Sequence, residues 1–320
     1  MRSSPVSAID IIWLGDPAGA SADAAGGKGA SLSRMVGAGI PVPPGFVVVP
    51  AAFARFLAET GIGDEVVAAL AQLDARQSEA LGAAGQRIRD RIVGSPMPAD
   101  LARDVLDAYK HLGGSVAVRS SAIAEDSSAA SYAGQQETFL DVVGGDAVLA
   151  RIRDCWASLF SQHALFYRRQ KGSLDDRRIA VVVQRLVVAE KAGVLFTADP
   201  VSRRRDRFVI EAVWGLGESL VSGRVTPDNY QVARSDAKVI RAFVPEKDVA
   251  LARDPTSGIL ATVEVPPERR KARVLSDDEI SELVALGIRL ETLFGNPQDV
   301  EWAIAQGALY ALQSRPVTTL

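Results

Sequence analysis

Residues 116–140 read VAVRSSAIAEDSSAASYAGQQETFL, an apolar run that ends in Arg-Ser-Ser and then enters a long stretch of small residues. Arg119, beside two hydroxyls and Gly134, is equipped to hold an anion, because a guanidinium presents a planar fork of N–H donors. Val116, Ala117 and Val118 are expected to form a strand, and 136–142 another. A Ser/Ala/Gly-rich loop of this length between strands is a binding loop or lid, or else a flexible surface loop with a solvated arginine.

Two further stretches carry possible phosphate chemistry. Gly26-Gly27-Lys28-Gly29 precedes a helical pattern expected over 30–37. Glycines let backbone approach a phosphate, a helix start favours anions, and lysine adds a point charge. It is not a Walker A loop, since position 22 is Ala and Lys28 is followed by Gly. The C-terminal VEWAIAQGALYALQSRPVT reads as a β-hairpin with two possible registers. A two-residue loop pairs Trp302 with Ala311 and Glu301 with Leu312. A three-residue loop, 306–308, pairs Trp302 with Leu312, Ile304 with Tyr310 and Glu301 with Gln313. The second collects the apolar residues on one face, so the hydrophobic pattern selects it. Glu301, Gln313 and Arg315 then share a polar face that can offer Mg²⁺ a carboxylate and a carbonyl oxygen, and a phosphate a fork of donors. The same pattern also fits a plain solvent-facing strand.

The elements that must position these residues divide the chain. The region 50–111 is alanine-rich and helical. Asp146 can cap a helix carrying Trp156 and ending before Gly172, with His163 inside it. The segments 179–188, 193–197 and 207–213 are Val-rich and β-prone, and a helix is expected over 277–294. Sheets alternating with helices in two compositionally distinct halves predict an α/β (α+β) enzyme, with lobes at 1–188 and 189–320.

Composition narrows the partners. The chain has 320 residues, 48% of them hydrophobic and 23% charged, with a formal net charge of −3. Nothing in that balance points to nucleic acid or a membrane surface. The run Arg203, Arg204, Arg205, Arg207 is interrupted by Asp206 and reads as a solvated turn. Cys155 is the only cysteine, which excludes an internal disulfide, and it lies in an apolar pattern that suits a core. Without an apolar leader or membrane-length run, a cytoplasmic location is expected.

Taken in order, GGKGASL, the VRSSAIAEDSSAASYAGQQETFL loop, VVVQRLV, GVLFTADPV, EAVWGLGESLVSGRVTPDNY and QDVEWA…LYALQSRPVT resemble the ATP-binding domain of the phosphoenolpyruvate synthase family, which includes pyruvate phosphate dikinase and rifampin phosphotransferase. The resemblance spans nearly the whole chain. It implies a two-lobed ATP-grasp fold with ATP and Mg²⁺ held in the cleft between lobes. By position it implies Lys28 and Arg119 as a phosphate-binding pair, Gly134 and Thr138 as loop elements closing over phosphates, and Gln184 as a contact on the adenine side. Glu301 and Gln313 match the metal-binding and triphosphate positions, Arg315 the terminal phosphate arginine, and Glu211 is a candidate for a ribose or metal contact.

One departure shapes the expected function. Full-length members of the family carry a swivelling domain whose histidine accepts phosphate from ATP, and no such motif occurs here. His111 and His163 are the only histidines, and both read as structural or surface residues. The expected activity is therefore a phosphotransferase whose phosphohistidine domain is a separate protein or a missing downstream domain. That partner would pass phosphoryl to a small hydroxyl compound such as a phenol, with release of AMP and phosphate. An excised nucleotide domain of a phosphoenolpyruvate synthase, or a regulatory module that binds ATP without chemistry, are the competing expectations.

Overall fold

A computed structural model of the chain describes residues 10–71, 78–123, 137–170 and 177–320. It divides into two compact units, one of Met1–Ser33 with Pro44–Leu186 and one of Arg34–Pro43 with Val187–Leu320.

The first unit is built on α1 (Ala22–Gly37, shared with the second unit) and a five-stranded antiparallel sheet. The strands are β1 (Ile11–Trp13), β2 (Gly45–Val48), β3 (Val116–Ala122), β4 (Thr138–Val142) and β5 (Ile179–Arg185), in the order β1-β2-β5-β3-β4. Helices α2 (Pro50–Glu59), α3 (Ile62–Ala71), α4 (Ser78–Gly94), α5 (Ala99–Leu112), α6 (Gly145–Ser158) and α7 (Gln162–Gln170) complete it. Alternation sorts the strands: Phe46, Val48, Val116, Val118, Val181 and Val183 join the helical core, where Phe53 and Phe56 pack against the ring of Trp156 at 5.2 and 5.1 Å between centroids. Cys155 is fully buried in the same core, and desolvation pushes its thiol far above its ordinary pKa, so it is a packing residue.

Three local expectations are corrected. Helix α1 begins at Ala22 rather than at residue 30, and Gly26-Gly27-Lys28-Gly29 lies inside it, around a non-helical Gly26. The helix carrying Trp156 is two helices, because the Ser161 hydroxyl accepts from Ala164 N at 3.2 Å and starts α7 afresh, so His163 lies in α7. Asp146 is in the first turn of α6, and the cap is Gly144 with φ 95°.

In the second unit, β6 (Lys191–Phe196), β7 (Arg207–Trp214), β8 (Asp228–Ala233), β9 (Val239–Phe243), β12 (Gln298–Ala305) and β13 (Ala308–Pro316) form an antiparallel sheet in the order β13-β12-β6-β7-β8-β9. Short helices α8 (Glu218–Val221) and α9 (Pro267–Arg270) and the hairpin β10 (Val249–Arg253)–β11 (Leu260–Glu264) lie between. Helix α10 (Asp277–Phe294) has the bounds its sequence predicts, with a reciprocal Ser276–Glu279 capping box and Gly295 in the left-handed conformation after its end. Gly287 lets α10 press onto the sheet, since a Cβ there would stand 2.7 Å from the Phe208 ring. At the start of β8, Asp228 and Lys247 form a fully buried ion pair at 2.5 Å, and Tyr230 Oη and Val274 N also donate to Asp228, each at 2.7 Å. That set of donors satisfies a carboxylate that would otherwise be costly to bury. Among the described residues no helix is long and apolar enough to cross a membrane.

Candidate functional site

The two glycine- and serine-containing motifs of the first unit, 92 residues apart in sequence, are stitched together. Ser121 Oγ donates to Ala25 O at 3.0 Å and accepts from Gly29 N at 3.1 Å. Lys28 Nζ donates to Ser120 O at 2.9 Å. Gly26 makes this approach possible. Its φ of 69° and ψ of 171° suit only glycine, and a Cβ there would fall 2.2 Å from Ser121 O.

Register places the other residues. Val47, Val182, Arg119 and Thr138 are successive cross-strand partners, as are Gly45, Gln184 and Ala117 in the neighbouring row. Partners share a face, so Arg119, Thr138 and Gln184 lie together on the side of the sheet opposite Val118 and Val183. Helix α1 covers that side, with a Cβ at Gly29 falling 3.1 Å from Val47 Cγ2. Lys28, Arg119, Thr138 and Gln184 are thus brought to one face, and Lys28, Arg119 and Gln184 are buried at 3, 9 and 3% exposure. Lys28 is not the surface-like side chain that a glycine-rich loop suggests. Gly134 lies outside the described residues.

The hairpin β12–β13 corrects the register expectation by using both registers. Near the turn Trp302 pairs with Ala311, Ala303 with Tyr310 and Ile304 with Leu309, around a two-residue loop. Gln306 (φ 51°) and Gly307 (φ 73°) both have positive φ, as a type I′ turn requires, and that turn matches the twist of the strands. A bulge then shifts the pairing between Glu301 and Trp302, so that Glu301 faces Gln313, Val300 faces Ser314 and Asp299 faces Arg315. Leu312 is the extra residue. Trp302 is fully buried, whereas Tyr310 falls on the Glu301 side and not beside Trp302.

That polar side holds a residue the motif reading missed. Arg315 Nε donates to Asp299 Oδ2 at 2.8 Å. Burial pushes the Asp299 carboxyl above its ordinary pKa, Arg315 opposes the shift, and Glu301 two residues along adds to it. The signal was present as Asp-x-Glu on one strand, which puts both carboxylates on one face. Asp299, Glu301 and Gln313 together offer the hard oxygen donors that suit Mg²⁺, beside an arginine that suits phosphate.

Cross-strand pairs extend this face, the one away from α10, over the whole sheet. One row runs Gln313, Glu301, Val194, Glu211, Asn229, Phe243, and the next Arg315, Asp299, Phe196, Val209, Gln231, Arg241. Glu211 therefore stands two strands from Glu301, about 10 Å between backbones. Asn229 Nδ2 donates to Glu211 Oε1 at 3.4 Å. A cavity of about 350 Å³ opens there, lined by Glu211, Asn229, Gln231, Arg241 and Phe243 with Thr226 and Pro227.

Known proteins share this sequence over most of its length. Residues 22–320 match the family described as pyruvate phosphate dikinase, AMP/ATP-binding domain. A probable phosphoenolpyruvate synthase of Archaeoglobus fulgidus is 47% identical over 98% of this chain and 42% of that protein. A rifampicin phosphotransferase of a Streptomyces species is 42% identical over 97% of this chain and 36% of that protein. A solved D-alanine–D-alanine ligase from Helicobacter pylori is similar with a TM-score of 0.31 at 11% identity, over 72% of this chain and 52% of that one, too slight a likeness to bear on function. The chain spans between 27 and 44% of the length of the phosphoenolpyruvate synthases it matches first. By the extent of these matches, the chain belongs to the pyruvate phosphate dikinase AMP/ATP-binding domain family.

Proposed function

We propose that this chain is the ATP-binding part of a phosphotransferase. Lys28 and Arg119 hold phosphate oxygens, with Gly134 and Thr138 closing over them, and Gln184 contacts the adenine. Glu301 and Gln313 hold Mg²⁺, and Arg315 takes a terminal phosphate once it exchanges Asp299 for it. The phosphoryl group passes to a histidine on a separate domain or subunit, which hands it to a small hydroxyl acceptor such as a phenol, with release of AMP and phosphate. Cations and metal that neutralise the transferring oxygens are the main source of rate in such reactions.

The observation that carries this reading is the pairing of Glu301 with Gln313 and of Asp299 with Arg315 across one hairpin. It puts oxygen donors and a phosphate fork on the same face, in a chain of an ATP-binding family. Calorimetry with Mg·ATP tests it: wild type should bind, and Glu301→Gln should weaken binding at least tenfold in Mg²⁺ while keeping the side chain's shape. Adding a histidine-bearing partner and labelled ATP should leave acid-labile phosphate on the partner. Stable label on His111 or His163 of this chain would refute the separate-acceptor reading.

A further inference from the structure

Strand β9 is an edge of the second unit's sheet. Among the described residues it pairs only with β8, and its last four residues, Ile240 to Phe243, are exposed. Ile240 and Phe243 are 53 and 56% exposed, on the kind of edge that native proteins cover or guard with charge. The ladder shows which backbone groups are left over. Ala233 N donates to Lys238 O at 2.8 Å on the β9 side, and Arg234 N donates to Asp206 O at 3.1 Å on the β7 side. Successive residues of an antiparallel strand bond alternately to one neighbour and the other. Asn229 and Gln231 therefore bond toward β9, to their partners Phe243 and Arg241. Ala242, between those two, turns its N–H and C=O away from β8, toward the open side. Val244 prolongs the same edge, because the residue before Pro245 is held extended.

We propose that β9 pairs with β9 of a second copy of this chain, antiparallel about a two-fold axis at Ala242. Charge and shape choose that register. An axis at Arg241 sets two guanidiniums directly opposite each other, which is destabilising. An axis at Phe243 sets Ile240 against Glu246, and one at Ile240 runs the pairing into the turn at Ala237, whose φ is 57°. The axis at Ala242 sets Arg241 opposite Phe243 twice, a guanidinium beside an aromatic ring, and Ile240 opposite Val244. It also brings Lys238 opposite Glu246 at each end, so the edge is complementary to itself in charge. These two side chains are 81 and 47% exposed, and their pairs with Asp236 and Lys271 lie at the surface, where such pairs contribute little and exchange readily. A two-fold contact of this kind closes at two copies. The sheet's other end offers no second edge of the same kind, since Ala311 N of β13 donates to Pro41 O at 2.8 Å. Pairing a five-residue strand belongs to the small interfaces, below about 1,200 Å², which fits a dissociation constant of about 10–100 µM. The inference is independent of the phosphotransferase reading.

Sedimentation velocity of the full chain, from about 1 to about 500 µM, tests it. The weight-average mass should rise toward that of a dimer across this range. Ala242→Pro removes the outward N–H at a position where a sheet edge tolerates proline. It should weaken association at least tenfold and leave the thermal midpoint of the dilute protein unchanged. A cysteine pair reads the register without relying on proline. Cys155, the only native cysteine, is buried and does not interfere. Arg241→Cys protein mixed with Phe243→Cys protein should form a disulfide-linked dimer in oxidised glutathione faster than either variant alone, because the mixed pair juxtaposes the two thiols and keeps one Arg241–Phe243 contact. A monomer throughout the concentration range overturns the dimer and leaves the edge to a strand of another protein. Dimerisation of Ala242→Pro equal to wild type, or cross-linking of either variant alone at the rate of the mixture, overturns the pairing about Ala242.

Discussion

Gly26→Ala should be among the most damaging single-methyl changes in the first unit. The new Cβ would stand 2.2 Å from Ser121 O and 2.3 Å from Ser121 Oγ, on a backbone with φ 69°. Holding a non-glycine residue in that conformation costs about 1–3 kcal/mol. Relieving the contact requires Ser121 to withdraw, which breaks its hydrogen bonds with Gly29 N and Ala25 O, at about 1 kcal/mol each. The sum is about 3–5 kcal/mol, which lowers the thermal midpoint by roughly 6–20 °C for a unit of this size. Ser121→Ala is the matched control: it removes the two hydrogen bonds without the strain and should cost about 2 kcal/mol. Thermal and urea unfolding of the three proteins, followed by Mg·ATP calorimetry, separates the contributions. Displacing Ser121 also displaces Ser120 O from Lys28, so nucleotide affinity should fall in step with stability. A Gly26→Ala protein within about 0.5 kcal/mol of wild type would refute the close-approach argument.

Other perturbations discriminate between packing and chemistry. Trp302→Ala should destabilise the second unit by about 3–5 kcal/mol, read by urea unfolding, because its ring is fully buried. Lys28→Ala should abolish Mg·ATP binding and also cost about 1–3 kcal/mol of stability, since the buried ammonium donates to Ser120 O; unchanged stability would mean that the contact contributes nothing. The raised pKa of Asp299 carries a definite sign: the stability it contributes is fully present below its ordinary pKa of 3.8 and is lost as pH rises through the elevated folded value. Unfolding measured from pH 3.5 to 7 should therefore shift in favour of Asp299→Asn, relative to wild type, as pH rises, and a constant difference would contradict the shift.

Much of the architecture is written locally. The bounds of α10 follow from Ser276, Glu279 and Gly295, because a capping box and a left-handed glycine act within one turn. The Glu301–Gln313 pairing follows from alternation of polar and apolar residues along two adjacent strands, and the Asp299–Arg315 pair was legible in the same way. Other features needed partners distant in sequence. The turn at Gln306-Gly307 lacks the familiar Asn-Gly signature, and the bulge that lets a two-residue loop coexist with Glu301 opposite Gln313 is a compromise between turn twist and face burial. Sequence could present Lys28 only as a lysine in a glycine run. Its burial, its bond to Ser120 O and the fit of Gly26 against Ser121 arise where strand β3 arrives 92 residues later. Likewise the alignment of Glu211 with Glu301 depends on how β6 and β7 register against β12. Periodicity and caps are set by neighbours along the chain, whereas burial of a charge and the register between strands are set by which distant backbone supplies the missing hydrogen-bond partners.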